Sequence, residues 1–315
     1  MKLVVTGAAG FIGSNICSEL ASHGDSKIVA IDDLSTGKRE NLDGIDGQKM
    51  RLHNVSVLDK DKLGVLFKDA DYVIHQAAIP SVPKSVRDPI GTTNANIMGT
   101  LTVLMTAKEC NVKRVVLASS SSVYGDTPTL PKKEEMVPNP MSPYGISKYA
   151  NELHARNFYE LYGLETICLR YFNVFGPRQN PESEYAAVIP KFITKMLKGE
   201  SPVVFGDGTA TRDFSYVKDV VKANLLAMTA KKEACGKVFN IAGGRTITIN
   251  GLIETINKIM KKRILPIHGK ERQGDIKHSY ADISLANKIL GFKPEYNVET
   301  GLNETIAWFE RYDKR

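Results

Sequence analysis

The chain has one tryptophan and four cysteines in 315 residues. Cys17, Cys110, Cys168 and Cys235 make no CxxC pair and have no histidine at ligand spacing. A disulfide framework is thereby disfavoured, no metal site is implied, and buried thiols in a reducing compartment are expected. Long apolar runs are also missing: no stretch approaches the ~20 residues of a membrane helix. The opening MKLVVTGAAGFIG starts like a secretory signal, but glycines interrupt the apolar run within a few residues. A cytoplasmic protein with no membrane partner is expected. A concentrated basic stripe is lacking too. The net charge is +7, yet Lys and Arg are spread through stretches such as KDKLGVLFKD, with KKR at 261–263 the densest cluster. Without interleaved aromatics this is a solvated surface rather than a nucleic-acid interface. A mild positive balance suits an anionic small-molecule substrate.

What is present is alternation. Short β-branched runs at 2–7, 27–33, 50–57, 70–78 and 113–120 are separated by helical patterns at 10–24, 60–69 and 93–110. A helix over 144–163 and a strand over 164–176 follow. Such alternation predicts an α/β protein whose parallel sheet is covered on both faces. After Pro177 the spacing changes to short strands and helices at 188–199 and 219–230, then a strand at 237–244 and a closing helix. A larger domain over 1–171 and a smaller α+β lobe over 172–315 are expected, interleaved if strand 237–244 returns to the main sheet.

Gly7, Gly10 and Gly13 lie between the first strand and the first amphipathic helix. Glycines there permit a tight turn, close backbone approach to a pyrophosphate, and helix–strand packing, with helix amides facing the phosphates. Asp32 ends the second strand, where a carboxylate can accept from the adenosine ribose hydroxyls and repel a 2′-phosphate. Asp33 adds negative charge and no arginine adjoins it, so NAD is favoured over NADP.

Tyr144 and Lys148 stand four residues apart in SPYGISKYANEL, on one helix face. A phenol is a poor base at neutral pH, and a nearby ammonium favours its phenolate. Upstream, LASSSSVYG places four serines, Ser119 to Ser122, at the end of an apolar strand. Alternation turns successive side chains to opposite faces, so not all four hydroxyls can face one ligand. His75, on the fourth strand, is read as a buried histidine satisfied by hydrogen bonds.

GAAGFIG, HQAA, SSSSVYG and YGISK, with LRYFNVFGPRQ, YAAVIPKF, GDGTATRDFSYVKDV, FNIAGG and ERQGDIKHSYAD, together resemble an extended short-chain dehydrogenase/reductase. The set spans nearly the whole chain and is similar to nucleotide-sugar 4-epimerases of the UDP-glucose/UDP-N-acetylglucosamine type. The resemblance implies a Rossmann-like doubly wound sheet, a smaller UDP-sugar-binding lobe and tightly bound NAD. Phe11 and Ile12 would then meet the pyrophosphate, and Gln76, Ala77 and Ala78 would line the cofactor. Asn96, with Asn94 as a nearby alternative, would flank it, and Phe172 would lie near the nicotinamide. Ser56 and Val57 stand where the family often has an acid at the adenine. Tyr144 would be the base and Lys148 its electrostatic partner and ribose ligand. Ser120 aligns with the catalytic Ser/Thr, with Ser121 as the alternative register and Ser122 beside the sugar. Asn173, Ala187 and Val188 would contact the sugar diphosphate, and Phe205 the uracil. Arg212 and Arg272 would clamp the phosphates, and Asp275 would hold the uridine ribose. Ser279 stands where epimerases confined to glucose and galactose carry a tyrosine, which leaves room for an acetamido group.

Two other activities share the scaffold. A 4,6-dehydratase needs an Asp-Glu pair after the strand-end Ser/Thr, where this chain has Ser121 and Ser122. A UDP-glucuronate epimerase or decarboxylase wants an extra cation for the sugar carboxylate. By analogy a homodimer is expected, through a four-helix contact of the helices near 94–110 and 144–162.

Overall fold

The structure, a computed structural model, describes residues 1–22, 26–181, 187–271 and 277–312. Arg272 and Asp275 lie outside the described residues. The first six strands are β1 (Lys2–Thr6), β2 (Lys27–Asp32), β3 (Met50–Asn54), β4 (Tyr72–His75), β5 (Arg114–Ser120) and β6 (Glu165–Tyr171). Between them run α1 (Phe11–Ser22), α2 (Lys60–Phe67), α3 (Val82–Arg87), α4 (Pro89–Thr93), α5 (Gly99–Glu109) and α6 (Pro143–Tyr162). The second half contributes β7 (Val174–Phe175), α7 (Val188–Leu197), β8 (Val203–Phe205), β9 (Thr211–Asp213), β10 (Ser215–Tyr216) and α8 (Val217–Thr229). It ends with β11 (Lys237–Ile241), β12 (Thr246–Thr248), α9 (Ile249–Met260), β13 (Ile267–Gly269), α10 (Ser284–Leu290) and α11 (Val298–Tyr312).

Seven strands form one parallel sheet in the order β11-β6-β5-β4-β1-β2-β3. Strand order reverses between β1 and β4, and ligands of open α/β sheets bind outside the strand carboxyl ends at that point. Pleating sorts the apolar residues of each strand between two cores. Leu3, Val5, Ile74, Val116 and Leu169 pack with α1, α8 and α10. Val4, Val73, Val115 and Leu117 turn the other way, onto α2, α5 and α6. Burial on both faces explains why these strands are continuously apolar rather than alternating. A third core joins Phe175, Phe192, Tyr216, Leu252, Leu302 and Phe309 beneath α7, α9 and α11. Two-stranded ladders β7–β10, β9–β12 and β8–β13 complete this lobe.

The helix over 93–110 is not continuous. Asn94–Met98 forms a π-helical turn between α4 and α5. The Asn96 carbonyl accepts from the Thr100 hydroxyl (2.6 Å) and from Asn151 Nδ2 (3.1 Å), which compete with the helical amide for it. The strand over 164–176 also divides: β6 stops at Tyr171, and Asn173 adopts a left-handed φ of 36° that turns the chain into β7. Local β-propensity is overridden there by the crossing into the second lobe. Cys17, Cys168 and Cys235 are buried free thiols, and Cys110 is half-buried.

Candidate active site

The nucleotide loop is built by backbone. Gly7 has a φ of +67°, and a Cβ there would lie 2.6 Å from the Ala77 nitrogen. A Cβ on Gly13 would stand 2.0 Å from the Gly7 carbonyl oxygen, so helix α1 can approach β1 this closely only without a side chain. At Gly10 the Gly7 oxygen, at 3.1 Å, is the one described atom near such a Cβ. That open side leaves space for a pyrophosphate against the loop and the first amides of α1. Asp32 is fixed at the end of β2: its carboxylate accepts from Ala9 N–H (2.9 Å) and Leu34 N–H (2.8 Å). Burial raises its pKa, and these amides pull the other way. Each oxygen keeps a lone pair for a ribose hydroxyl. The loop and Asp32 therefore fit NAD.

The reacting groups gather at the carboxyl end of β5. Helix α6 starts with Ser142 as its cap, accepting from Gly145 N–H at 3.1 Å, and with Pro143 in its first turn. That start places Tyr144 at the mouth and Lys148 one turn deeper, with the ammonium 5.8 Å from the Tyr144 ring centroid. Lys148 Nζ donates to the Ala118 carbonyl at 2.9 Å, and burial holds its pKa down to about 8. Burial raises the Tyr144 pKa, against which a hydrogen bond with the Ser120 side chain acts. Ser120 Oγ also accepts from Ser122 N–H (3.2 Å) and from the Ser122 hydroxyl (2.9 Å). The structure thus brings Ser120, not Ser121, to Tyr144. Ser119 points to the opposite face, where its hydroxyl donates to Glu152.

The second lobe contributes a polar wall. Asn173 Nδ2 donates to the Asp213 carbonyl (2.9 Å) and to Ser279 Oγ (3.3 Å), joining β6–β7 to β9 and to the segment after 277. Arg212, half-buried on β9, donates to the carbonyls of Thr211 and Lys277. Ala187 is exposed and Val188 half-buried at the start of α7, while Phe205 is 42% exposed on β8.

Three residues expected at the cofactor also pack or bond within the chain. Asn96 is fully buried, its Oδ1 accepting from Ile79 N–H (2.8 Å) and its Nδ2 donating to Ser147 Oγ (3.0 Å) and the Ile79 carbonyl (3.3 Å). Its side chain ties the chain after β4 to α6. Phe172 is 1% exposed, packed with Val123, Tyr124, Ala242 and Ala281 where the two lobes join. The Val57 side chain belongs to the core under α5, where Gly99 lets it approach. Ala77 and Ala78 are half-buried beside the loop, and the Gln76 amide donates to the Tyr171 hydroxyl (3.1 Å) and Asn224 Oδ1 (3.2 Å). His75 is buried and satisfied: its ring nitrogens meet the hydroxyls of Thr6 (2.7 Å) and Thr100 (2.9 Å), and burial lowers its pKa to about 3. Thr100 spends its proton on the Asn96 carbonyl, so His75 donates from Nε2 and accepts at Nδ1. Sequence reasoning passed over Glu152, although Tyr144, Lys148 and Glu152 continue one i, i+4, i+8 face.

A glycine-built nucleotide loop beside a Tyr–Lys–Ser constellation on a doubly wound sheet defines a class. The model of the NAD dependent epimerase/dehydratase family matches residues 3–242, and the chain belongs to that family. Within it the chain is an extended short-chain dehydrogenase/reductase of the nucleotide-sugar 4-epimerase type, and NAD is its cofactor. The UDP-N-acetylglucosamine 4-epimerase of Methanobrevibacter ruminantium, solved with UDP-N-acetylmuramic acid, is 45% identical, with a TM-score of 0.94 covering 99% of this chain and 98% of that one. The Thermotoga maritima UDP-glucose 4-epimerase, solved with UDP-glucose, is 37% identical, with a TM-score of 0.93 covering 99% of each chain. A UDP-glucose 4-epimerase of Mycolicibacterium smegmatis is 36% identical over 313 residues, 98% of each chain.

Proposed function

We propose that the chain is an isomerase acting at C4 of a UDP-hexose. On this proposal it interconverts UDP-GlcNAc with UDP-GalNAc, and also UDP-Glc with UDP-Gal. The placement of Tyr144 beside the Ser120 side chain, one turn above a buried Lys148 that donates to the Ala118 carbonyl, carries this reading. Tyr144 as phenolate removes the proton of the C4 hydroxyl, and the Lys148 ammonium stabilises the negative oxygen. The Ser120 hydroxyl orients that C4 oxygen against Tyr144. NAD, when bound, supplies a reversible hydride acceptor, and the sugar passes through a 4-keto state. Arg212, with Arg272, clamps the diphosphate because guanidinium donors match phosphate oxygens in pairs. Asp275 holds the uridine ribose, and the sugar turns over between the Ser120 and Ser279 walls.

Ser279 is the specificity residue of the proposal. Its small hydroxyl, tied to Asn173 Nδ2, leaves the volume a C2 acetamido group needs. Dehydration is disfavoured because Ser121 and Ser122 supply no titrating acid or base. The proposed substrate lobe is 172–315 apart from β11, and the nucleotide domain is 1–171. A cytoplasmic location accords with the free thiols, and no described helix is long and apolar enough to cross a membrane. The proposed homodimer would cover Met98 (48% exposed) and the outer stripe of α6, Ile146 (52%), Leu153 (36%) and Leu161 (71%).

The test is incubation with UDP-GlcNAc and, separately, UDP-Glc without reductant, with C4 epimers followed by NMR. Epimers from both substrates are expected, and Ser279→Tyr should abolish the GlcNAc reaction while sparing that of UDP-Glc. Absence of any epimer would overturn the activity. Unchanged UDP-GlcNAc turnover in the variant would overturn the role of Ser279.

A further inference from the structure

Behind the reacting face lies a buried ion pair that the chemistry above does not use. Glu152, on α6, and Arg170, on β6, are each about 4% exposed at the side chain. Arg170 Nε donates to Glu152 Oε1 at 2.8 Å and Nη2 to Oε2 at 2.7 Å. The Ser119 hydroxyl closes the set on Oε1. Ser119 and Arg170 are register partners on β5 and β6. One carboxylate thus joins the helix carrying Tyr144 and Lys148 to the strand carrying Ser120. Arg170 also lies 4.7 Å from the Tyr124 ring, while its Nη1 has no protein partner.

The charges around Lys148 give this pair a consequence. From its own helix Lys148 faces Tyr144 and Glu152; from β6, Cys168 with Arg170 beyond it; from β4, His75; from β5, the Ala118 carbonyl. His75 is neutral. Burial pushes the Cys168 thiol far above neutral pH, so it carries no charge either. Among these groups Glu152 is the anion that opposes desolvation of the ammonium.

We infer that Glu152 is a positioning residue for the reaction: paired with Arg170 and Ser119, its carboxylate keeps Lys148 charged and holds Ser120 in register with Tyr144. A charge one helical turn away acts strongly on a group cut off from water. Arg170 in turn grips both carboxylate oxygens, so the charge is not left without a partner in the interior. The inference rests on the epimerase reading for its kinetic consequence, but the charge state of Lys148 can be measured without turnover.

The experiment uses the NAD-loaded enzyme labelled with ¹³C at lysine Cε, the Lys148 resonance being identified by its loss in Lys148→Arg. Glu152→Gln, which keeps shape and hydrogen bonding, should lower the pH at which Lys148 titrates by about one unit or more. Starting near pH 8, one unit cuts the protonated fraction there from about a half to about a tenth. The alkaline limb of kcat should therefore move to lower pH, with kcat at pH 8 falling roughly 5-fold and KM for UDP-glucose unchanged. Ser119→Ala supplies a second arm, since it removes one hydrogen bond from the carboxylate but leaves its charge paired with Arg170, and should keep Lys148 titrating near the native pH. A Lys148 titration unmoved by Glu152→Gln, or lowered equally by both substitutions, would overturn the inference as mere structural loosening. Should the native enzyme epimerise no UDP-hexose, the substrate reading fails and the lysine titration still decides the role of Glu152.

Discussion

The two walls of the cleft are made by opposite means. On the β1–α1 side, function is carried by backbone: Gly7 and Gly13 are places where any side chain would collide with main chain. On the β5–α6 side it is carried by side chains stacked one turn apart, and the backbone is ordinary strand and helix. Rigidity of the first kind tolerates no added atom. Precision of the second kind depends on charges and hydroxyls that a substitution can change while the fold survives.

Adding one methyl group to the backbone wall should therefore have the largest effect. Gly13→Ala puts a Cβ at 2.0 Å from the Gly7 oxygen, so the fold is expected to lose about 3 kcal/mol and most of its NAD. Denaturant melting and the NAD content of purified protein would measure this. A native-like melt with full NAD would mean that the loop can move and that the contrast between the walls is false.

On the other wall, Tyr144→Phe should lower kcat roughly 10³-fold, within the range for a lost acid–base group, with folding and NAD binding kept. Ser120→Ala should cost roughly 10-fold to 100-fold, because its hydroxyl meets Tyr144, and Ser121→Ala much less. Equal losses at the two serines would place the working hydroxyl on neither alone. Circular dichroism and steady-state kinetics on the same samples separate the readouts.

The last effect concerns pH. His75 is buried neutral with its pKa lowered to about 3, whereas the unfolded chain binds its proton near 6.5. Between those values the unfolded state holds more protons, so this contribution to stability is lost as pH falls below about 6.5. The melting temperature should drop progressively over that window, and His75→Gln should flatten the slope. An unchanged slope would show that other groups dominate.

The same contrast explains what was legible in the sequence. Glycine spacing, Asp32 and the strand–helix alternation are local signals, so the sheet and loop could be read from the chain itself. The Tyr144–Lys148 pair was legible because four residues bring two side chains onto one face of a helix. Which serine meets Tyr144 was not, since four identical residues erase the register that pleating would otherwise mark. Glu152 escaped notice because its meaning depends on Arg170, 18 residues away on the next strand. The internal bonds of Asn96 were hidden for a related reason: its neighbours Ile79 and Ser147 are distant in sequence. The π-turn beside it depends on a carbonyl shared with Asn151, which helical periodicity cannot show.

Strand β11 has a consequence for how the molecule is assembled. It lies against β6 as one border of the seven-stranded sheet, yet the chain reaches it only after laying down β7, α7, β8 to β10 and α8. The first half of the polypeptide cannot finish its own core from contiguous sequence, because α8, β11 and α10 complete it. A C-terminal truncation before Lys237 would bare the backbone of β6 and take Phe239 and Ile241, both fully buried, out of the core. Such a fragment should aggregate rather than persist as a free nucleotide-binding unit. Folding is thereby tied to completion of nearly the whole chain, and the cleft forms together with the sheet that supports it.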